Sequence, residues 1–121
     1  MTRELNRGDR VLELGPGTGT LTREILSRGV AERDLFLLER CQGFAELLEQ
    51  NFPGATVLRG DATERQAGLE PYRGKIDYIV SGLPLVLFSR EQRSRLLREG
   101  FRLLKEQGAF FQFTYGGRCP L

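Results

Sequence analysis

The chain reads as an α/β domain: an open, mostly parallel sheet of about five strands with helices on both faces. Three observations predict this. Short apolar runs alternate with stretches of helical period. The runs are nearly continuous, as in DYIVSG at 77–82, which suits strands covered on both sides. Each run is separated from the next by a helix-sized segment, so the connections are right-handed crossovers between parallel strands.

Taken in order, residues 10–14 form the first buried strand. Residues 20–28 form a helix with Leu21, Ile25 and Leu26 on one face and Gly29 as its stop. The second strand is 35–38. A helix over 42–51 turns Phe44, Leu47 and Leu48 inward and closes at Phe52-Pro53-Gly54. A short third strand covers 56–58. Residues 64–75 are polar and carry Gly68, Pro71 and Gly74, so they read as a loop with at most one helical turn. The fourth strand is 76–80. A long helix over 90–105 turns Leu96, Leu97, Phe101 and Leu104 inward, and 109–115 is the fifth strand. No repeat, linker or low-complexity tract interrupts residues 1–121, which read as a single domain.

Composition narrows the chemistry. Hydrophobic residues make up 40% and charged residues 28%, an ordinary globular balance, and the net charge of +2 is too small to signal nucleic-acid binding. No apolar run reaches the roughly 20 residues that span a bilayer, and the opening MTRELNRGDR has no signal-peptide pattern. Cys41 and Cys119 have no metal-ligand spacing and read as two free thiols of a reducing cytoplasm. The chain has no histidine. That removes Ser-His and Cys-His nucleophilic catalysis and argues against a zinc site, so no metal is expected.

In open parallel sheets, ligands bind beyond the carboxyl ends of the strands, at the point where strand order reverses. There the first strand runs into VLELGPGTGTLT, residues 11–22, with Gly15, Gly17 and Gly19 at every second position. Side-chain-free backbone turns tightly and lets a ligand approach closely, and the next helix points free N–H groups at it. A dinucleotide turn requires glycine three positions after Gly17, where Thr20 stands. The observed spacing, Glu13 to Gly19 through Pro16 and Thr18, is E-x-G-x-G-x-G. It resembles the first motif of class I S-adenosylmethionine-dependent methyltransferases, which implies a Rossmann-like sheet, that cofactor and its product S-adenosylhomocysteine.

Later strand ends agree. Glu39, followed by Arg40, closes the second strand in FLLER and can accept two ribose hydroxyls, although a dinucleotide site uses such an acid too. Asp61 in RGDAT, by the same resemblance, accepts from the exocyclic amine of adenine, while the N–H of Ala62 reaches a ring nitrogen. An Asp before Ala-Thr equally suits a helix cap. The fourth strand ends in SGLPL, residues 81–85. Ribosomal RNA adenine dimethyltransferases carry Asn-Leu-Pro and an aromatic there. This chain has Gly82 and Leu85 instead, losing both the amide for a base amine and the ring that stacks on it, which speaks against a nucleic-acid acceptor.

With VLELGPGTG, Phe52-Pro53, RGDAT, SGLPL and QFTYG at 112–116, nearly the whole chain resembles bacterial phospholipid N-methyltransferases. The resemblance implies a lipid amine of the phosphatidylethanolamine type as acceptor. Methyl transfer from a sulfonium needs alignment above all, and positive charge moves to nitrogen. Carbonyls around Ser81, Gly82 and Leu83 are candidates to stabilise it, with the Ser81 hydroxyl second. Water, Tyr115 or a carboxylate takes the amine proton. Tyr115 also reads as a core residue with its hydroxyl at the sheet edge. The basic stretch over 90–105 reads first as a solvated face, and otherwise as peripheral contact with the inner face of a membrane.

Compared with the family, the chain starts about ten residues before its first strand and lacks the usual last strands, so a truncated or minimal domain is expected. The fifth strand then forms an edge carrying Phe110, Phe111 and Phe113, where a second copy could pair. The competing functions are an RNA adenine methyltransferase and a cofactor-binding scaffold without turnover.

Overall fold

The computed structural model describes residues 8–113. Five strands and three α-helices follow one another: β1 (Val11–Leu14), α1 (Thr20–Ser27), β2 (Leu35–Glu39), α2 (Gln42–Asn51), β3 (Thr56–Arg59), β4 (Ile76–Ser81), α3 (Arg90–Leu103) and β5 (Leu104–Gln112). Single 3-10 segments lie at Glu32–Asp34, Ala67–Tyr72 and Leu85–Leu87. The sheet order is β3-β2-β1-β4-β5, and every pair is parallel. From β1 the chain steps outward to β2 and β3, then returns to place β4 on the other side of β1. Strand order therefore reverses between β1 and β4, where Leu14 pairs with Ser81.

Alternate strand residues enter two cores. Val11, Leu35, Leu37, Tyr78 and Val80 pack against Ile25 of α1 and Leu48 of α2. Leu12, Leu14, Phe36, Leu38 and Ile79 pack against Leu69 and Leu96 on the opposite face. All of β1, β2 and nearly all of β4 are buried, which explains their nearly continuous apolar runs.

Several local expectations are corrected. The segment 64–75 contains the 3-10 turn Ala67–Tyr72, which buries Leu69. It is tied to α3 by Arg102, whose guanidinium reaches Glu70 at 2.7 Å and Glu99 at 3.0 Å. The contact face of α3 is Leu96, Gly100 and Leu103, not Leu97 and Phe101, which are 38% and 60% exposed. Gly100 sets this rotation: a Cβ there would lie 3.2 Å from the Phe110 ring, so the helix approaches the sheet on its smallest residue. Leu47 of α2 is likewise 38% exposed. The helix ends at Leu103 rather than residue 105, and β5 starts at once with Leu104 paired to Ile76. A register irregularity follows, and Gly108 fills it with no room for a side chain beside the carbonyls of Ile76 and Asp77. Phe110, Phe111 and Phe113 are half-buried against the two cores rather than displayed.

Among the described residues two carboxyl groups are buried, Glu39 at the end of β2 and Glu13 inside β1. Glu13 is fully buried on the α1 side of β1, where one oxygen accepts the Thr22 hydroxyl and the other, Oε2, has no partner among the described residues. Burial pushes its carboxyl up to about 7, opposed by the Thr22 hydrogen bond and reinforced by the nearby Glu39 charge. The protonated form is thus favoured on folding. Its stabilisation is complete below the unfolded value near 4.5 and is lost as pH rises through about 7. Replacing Glu13→Gln should remove that dependence: in urea denaturation, the stability of wild type relative to the variant should fall by on the order of 3 kcal/mol between pH 4.5 and 8. A constant difference would contradict the assignment.

At the start of α3, Ser89 accepts the Gln92 N–H at 3.1 Å and the Gln92 side chain accepts the Ser89 N–H at 2.8 Å. Ser89→Ala should lower stability by about 1 kcal/mol, measured in the same denaturant series.

Candidate functional site

Beyond the carboxyl ends of β1, β2 and β4, and the turn after β3, lies a cavity of about 570 Å³. Gly15 and Gly17 line it from the turn after β1. Glu39, Arg40, Cys41 and Gln42 line it from the end of β2, and Gly60, Asp61 and Ala62 from the turn after β3. Gly82, Leu83 and Pro84 follow β4, with Leu87 and Phe88 beyond them; Phe44 of α2 adds an aromatic wall.

The glycines stand where left-handed backbone is required. Gly15, Gly17 and Gly19 have φ of 67°, 59° and 93°. Space is also tight at Gly15 and at Gly19, where a Cβ would lie 2.9 Å from the Phe52 ring. A Cβ on Gly15 would sit 2.5 Å from a Leu83 methyl, so this glycine lets the turn after β4 close against the turn after β1. A Cβ on Gly17 would meet nothing within 4 Å, leaving the backbone open on the cavity side. No side chain caps α1, whose first-turn N–H groups are therefore not taken up by a capping residue.

Glu39 is the centre of the arrangement. It is 5% exposed, and its carboxylate accepts the Gly17 N–H at 2.9 Å and the Cys41 N–H at 2.8 Å. The acid at the end of β2 thus fixes the turn after β1. Asp61 directs Oδ1 to the N–H and hydroxyl of Thr63, at 2.8 and 2.7 Å. This is the capping geometry that its sequence context allowed, closing a turn instead of an α-helix. Its other oxygen has no hydrogen-bond partner among the described residues. Partial desolvation acts to raise the Asp61 carboxyl, but the two Thr63 bonds, with Arg40 and Arg95, hold it below the usual carboxylate range.

The turn after β4 is held from below and from the side. The buried Ser81 hydroxyl accepts the Leu83 N–H at 3.3 Å, and the Ser81 carbonyl accepts the Phe113 N–H at 2.8 Å. The Leu83 carbonyl takes the Leu85 N–H at 2.9 Å and the Gln112 side-chain amide at 2.8 Å. Of the three carbonyls at 81–83, only that of Gly82 has no hydrogen bond among the described residues.

Of the residues expected from sequence, Gly15, Gly17, Glu39, Arg40, Asp61, Ala62, Gly82 and Leu83 come together on this cavity. Glu13, Pro16, Thr18, Gly19 and Ser81 are not part of its wall: Glu13, Pro16, Gly19 and Ser81 are buried behind it, and Thr18 is exposed. Tyr115 lies outside the described residues. Sequence reasoning missed Phe44, which it took for core, and Leu87, Phe88 and Gln112. QFTYG was the signal for Gln112, with no role attached to its first residue. Cys41 is disulfide-bonded, so the free thiol expected there is corrected; Cys119 lies outside the described residues. Among the described residues, no group of three or more His, Cys, Asp or Glu could hold a metal ion.

Comparison with known proteins bears on this arrangement. Residues 11–108 match the family model for a methyltransferase domain. The chain is 35% identical over 112 residues to an ornithine lipid N-methyltransferase from Singulisphaera acidiphila, covering 86% of this chain and 56% of that protein. It is 34% identical over 100 residues to ribosomal RNA small subunit methyltransferase A from Chlorobium phaeobacteroides, covering 78% of this chain and 36% of that one. The chain thus spans about half, or less, of the length of these relatives. Among solved structures, an S-adenosylmethionine-dependent methyltransferase from Mesorhizobium loti superposes with a TM-score of 0.72 at 23% identity, over 89% of this chain and 47% of that one. That likeness shows the fold: the five-stranded parallel sheet with helices on both faces is that of Rossmann-like methyltransferases. With most of its length matched by the family model, the chain belongs to the methyltransferase domain family.

Proposed function

We propose that the cavity binds S-adenosylmethionine and that the domain transfers a methyl group to the nitrogen of a lipid amine. The observation that carries the first half is the Glu39 carboxylate, which joins the glycine turn and the cavity wall in one hydrogen-bonded unit. The residues fit such a ligand. The volume lies in the range of small-molecule sites, Gly17 leaves the backbone bare on the cavity side, and Asp61 has an oxygen to offer.

In this reading Glu39 uses its remaining lone pairs for the ribose hydroxyls. Asp61 and the Ala62 N–H take the adenine edge, and the two Thr63 bonds, with Arg40 and Arg95, keep Asp61 ionised against partial desolvation. Pro16, Thr18 and Gly19 shape the turn. Glu13 acts from behind it by anchoring Thr22 of α1, and Ser81 by anchoring the Leu83 N–H. Bound in this way, the cofactor supplies a methyl group on a good leaving group. Phe44, Leu87 and Phe88 exclude water. The Gly82 carbonyl is the acceptor left to face the positive charge that develops on the amine. The proton leaves to water, Tyr115 or a carboxylate.

Two things support a lipid amine as acceptor: the relative named for ornithine lipid N-methylation, and Gly82 and Leu85 in place of the amide and ring that a nucleobase needs. The ribosomal RNA methyltransferase relatives favour adenine as the second reading.

Calorimetric titration with S-adenosylhomocysteine tests the site. Glu39→Ala and Gly17→Val should each weaken binding about ten- to hundredfold, as expected for losing charged hydrogen bonds or filling the turn. Binding unaltered in both would overturn the proposal. Labelled methyl should pass to ornithine lipid or phosphatidylethanolamine in detergent micelles and not to ribosomal RNA. Binding without transfer to either would leave a scaffold.

A further inference from the structure

We infer that the turn after β4, Leu85–Leu87 with the start of α3, is a membrane-docking element that seats the cavity mouth on an anionic bilayer. This rests on the lipid-amine reading. Val86 is 86% exposed and Leu87 61% exposed, side by side on one turn, while Leu87 and Phe88 also line the cavity. Isolated exposed apolar residues are ordinary on protein surfaces. Two adjoining ones at the rim of a binding cavity call for a partner.

Much of the backbone of this turn is satisfied from within, although the Val86 N–H and carbonyl have no hydrogen bond among the described residues. The Leu85, Leu87 and Phe88 N–H groups bond to the carbonyls of Leu83, Pro84 and Leu85. Arg93 donates to the Leu85 carbonyl at 3.3 Å and the Phe88 carbonyl at 2.6 Å. A turn that brings few unmet polar groups can enter an apolar medium without stranding them. Its apolar tip therefore projects on a preformed scaffold.

Charge identifies the medium. Residues 90–98, REQRSRLLR, immediately follow the tip and hold four arginines against one glutamate, all exposed. Glu99, next along, is engaged by Arg102 and Arg65 and so does not offset them; Arg95 also faces the Asp61 charge, which leaves Arg90, Arg93 and Arg98 for an anionic surface. An apolar tip flanked by exposed arginines suits a bilayer with anionic headgroups, where one contact alone binds weakly and the two together anchor. A lipid amine does not leave its bilayer for a cavity. The cavity must come to the interface, and a tip on its own rim would bring it there.

The chain has no tryptophan, so Val86→Trp provides a single depth reporter. With vesicles of equal phosphatidylglycerol and phosphatidylcholine, the indole emission of this variant should shift to the blue and be quenched by lipids brominated on the acyl chain. With phosphatidylcholine alone, both changes should be much smaller. In flotation assays, wild type should bind the anionic vesicles at least about tenfold better than Val86→Glu, and better than Arg90→Glu/Arg98→Glu, with the advantage falling at high salt. None of these three side chains lines the cavity, so S-adenosylhomocysteine binding should be unchanged in the variants and reports folding. Equal flotation of wild type and Val86→Glu, or an unshifted emission from the Val86→Trp variant on anionic vesicles, would overturn the docking element. So would ribosomal RNA binding that depends on Val86 while vesicle binding does not. Methyl transfer to a monodisperse lysolipid amine, which needs no bilayer, reads the acceptor separately. Transfer there with Val86-independent vesicle binding overturns docking alone, and its absence for every variant overturns the lipid reading and docking together.

Discussion

The carboxylate of Glu39 is the interaction on which the site depends. It lies at the end of β2, almost out of solvent, and receives one backbone N–H from the turn after β1 and another from its own strand end. Charge-assisted bonds of this kind are stronger than neutral ones, more so in a partly desolvated place. Three of the five residues of the turn, Gly15, Gly17 and Gly19, have no side chain with which to hold it, so an outside anchor helps to define its shape. A residue expected to meet a ligand thus also builds the wall that would receive it.

The second constraint is steric. Gly15 lets Leu83 approach, and Leu83 is fixed by Ser81 beneath it and Gln112 beside it. The turns after β1 and β4 therefore close on each other at the point where strand order reverses. Movement in one would be felt in the other, because close-packed contacts do not deform continuously. Glu13 lies under the same region, half-satisfied, and couples the protonation of the interior to the first turn of α1.

Much of this was legible in the residues. Nearly continuous apolar strands and helical intervals specify a covered parallel sheet, and the sheet specifies where a ligand goes. Glycines at every second position mark backbone that must turn left-handed, as all three do. Acids at successive strand ends fall on one rim because parallel strands all end there. The rest was not legible for a physical reason. Phe101 and Leu97 look like core because they are apolar, yet the rotation of α3 follows the smallest residue, Gly100, against Phe110. Phe44 looks like core for the same reason and faces the cavity. Hydrophobicity says that a side chain prefers cover; it does not say which neighbour provides it.

Local sequence determined the strands, the helices, the left-handed turn and the end of the sheet at which chemistry is placed, since these follow from backbone conformation and periodicity alone. Only the tertiary structure decided what Glu39 holds, which carbonyl of Ser81, Gly82 and Leu83 is left without a partner, and that Val86 and Leu87 stand out at the cavity rim. Those outcomes depend on contacts between residues distant along the chain: Glu39 and Gly17 are 22 positions apart, and Gln112 and Leu83 are 29. Such contacts form through the packing of whole elements, which no short stretch encodes.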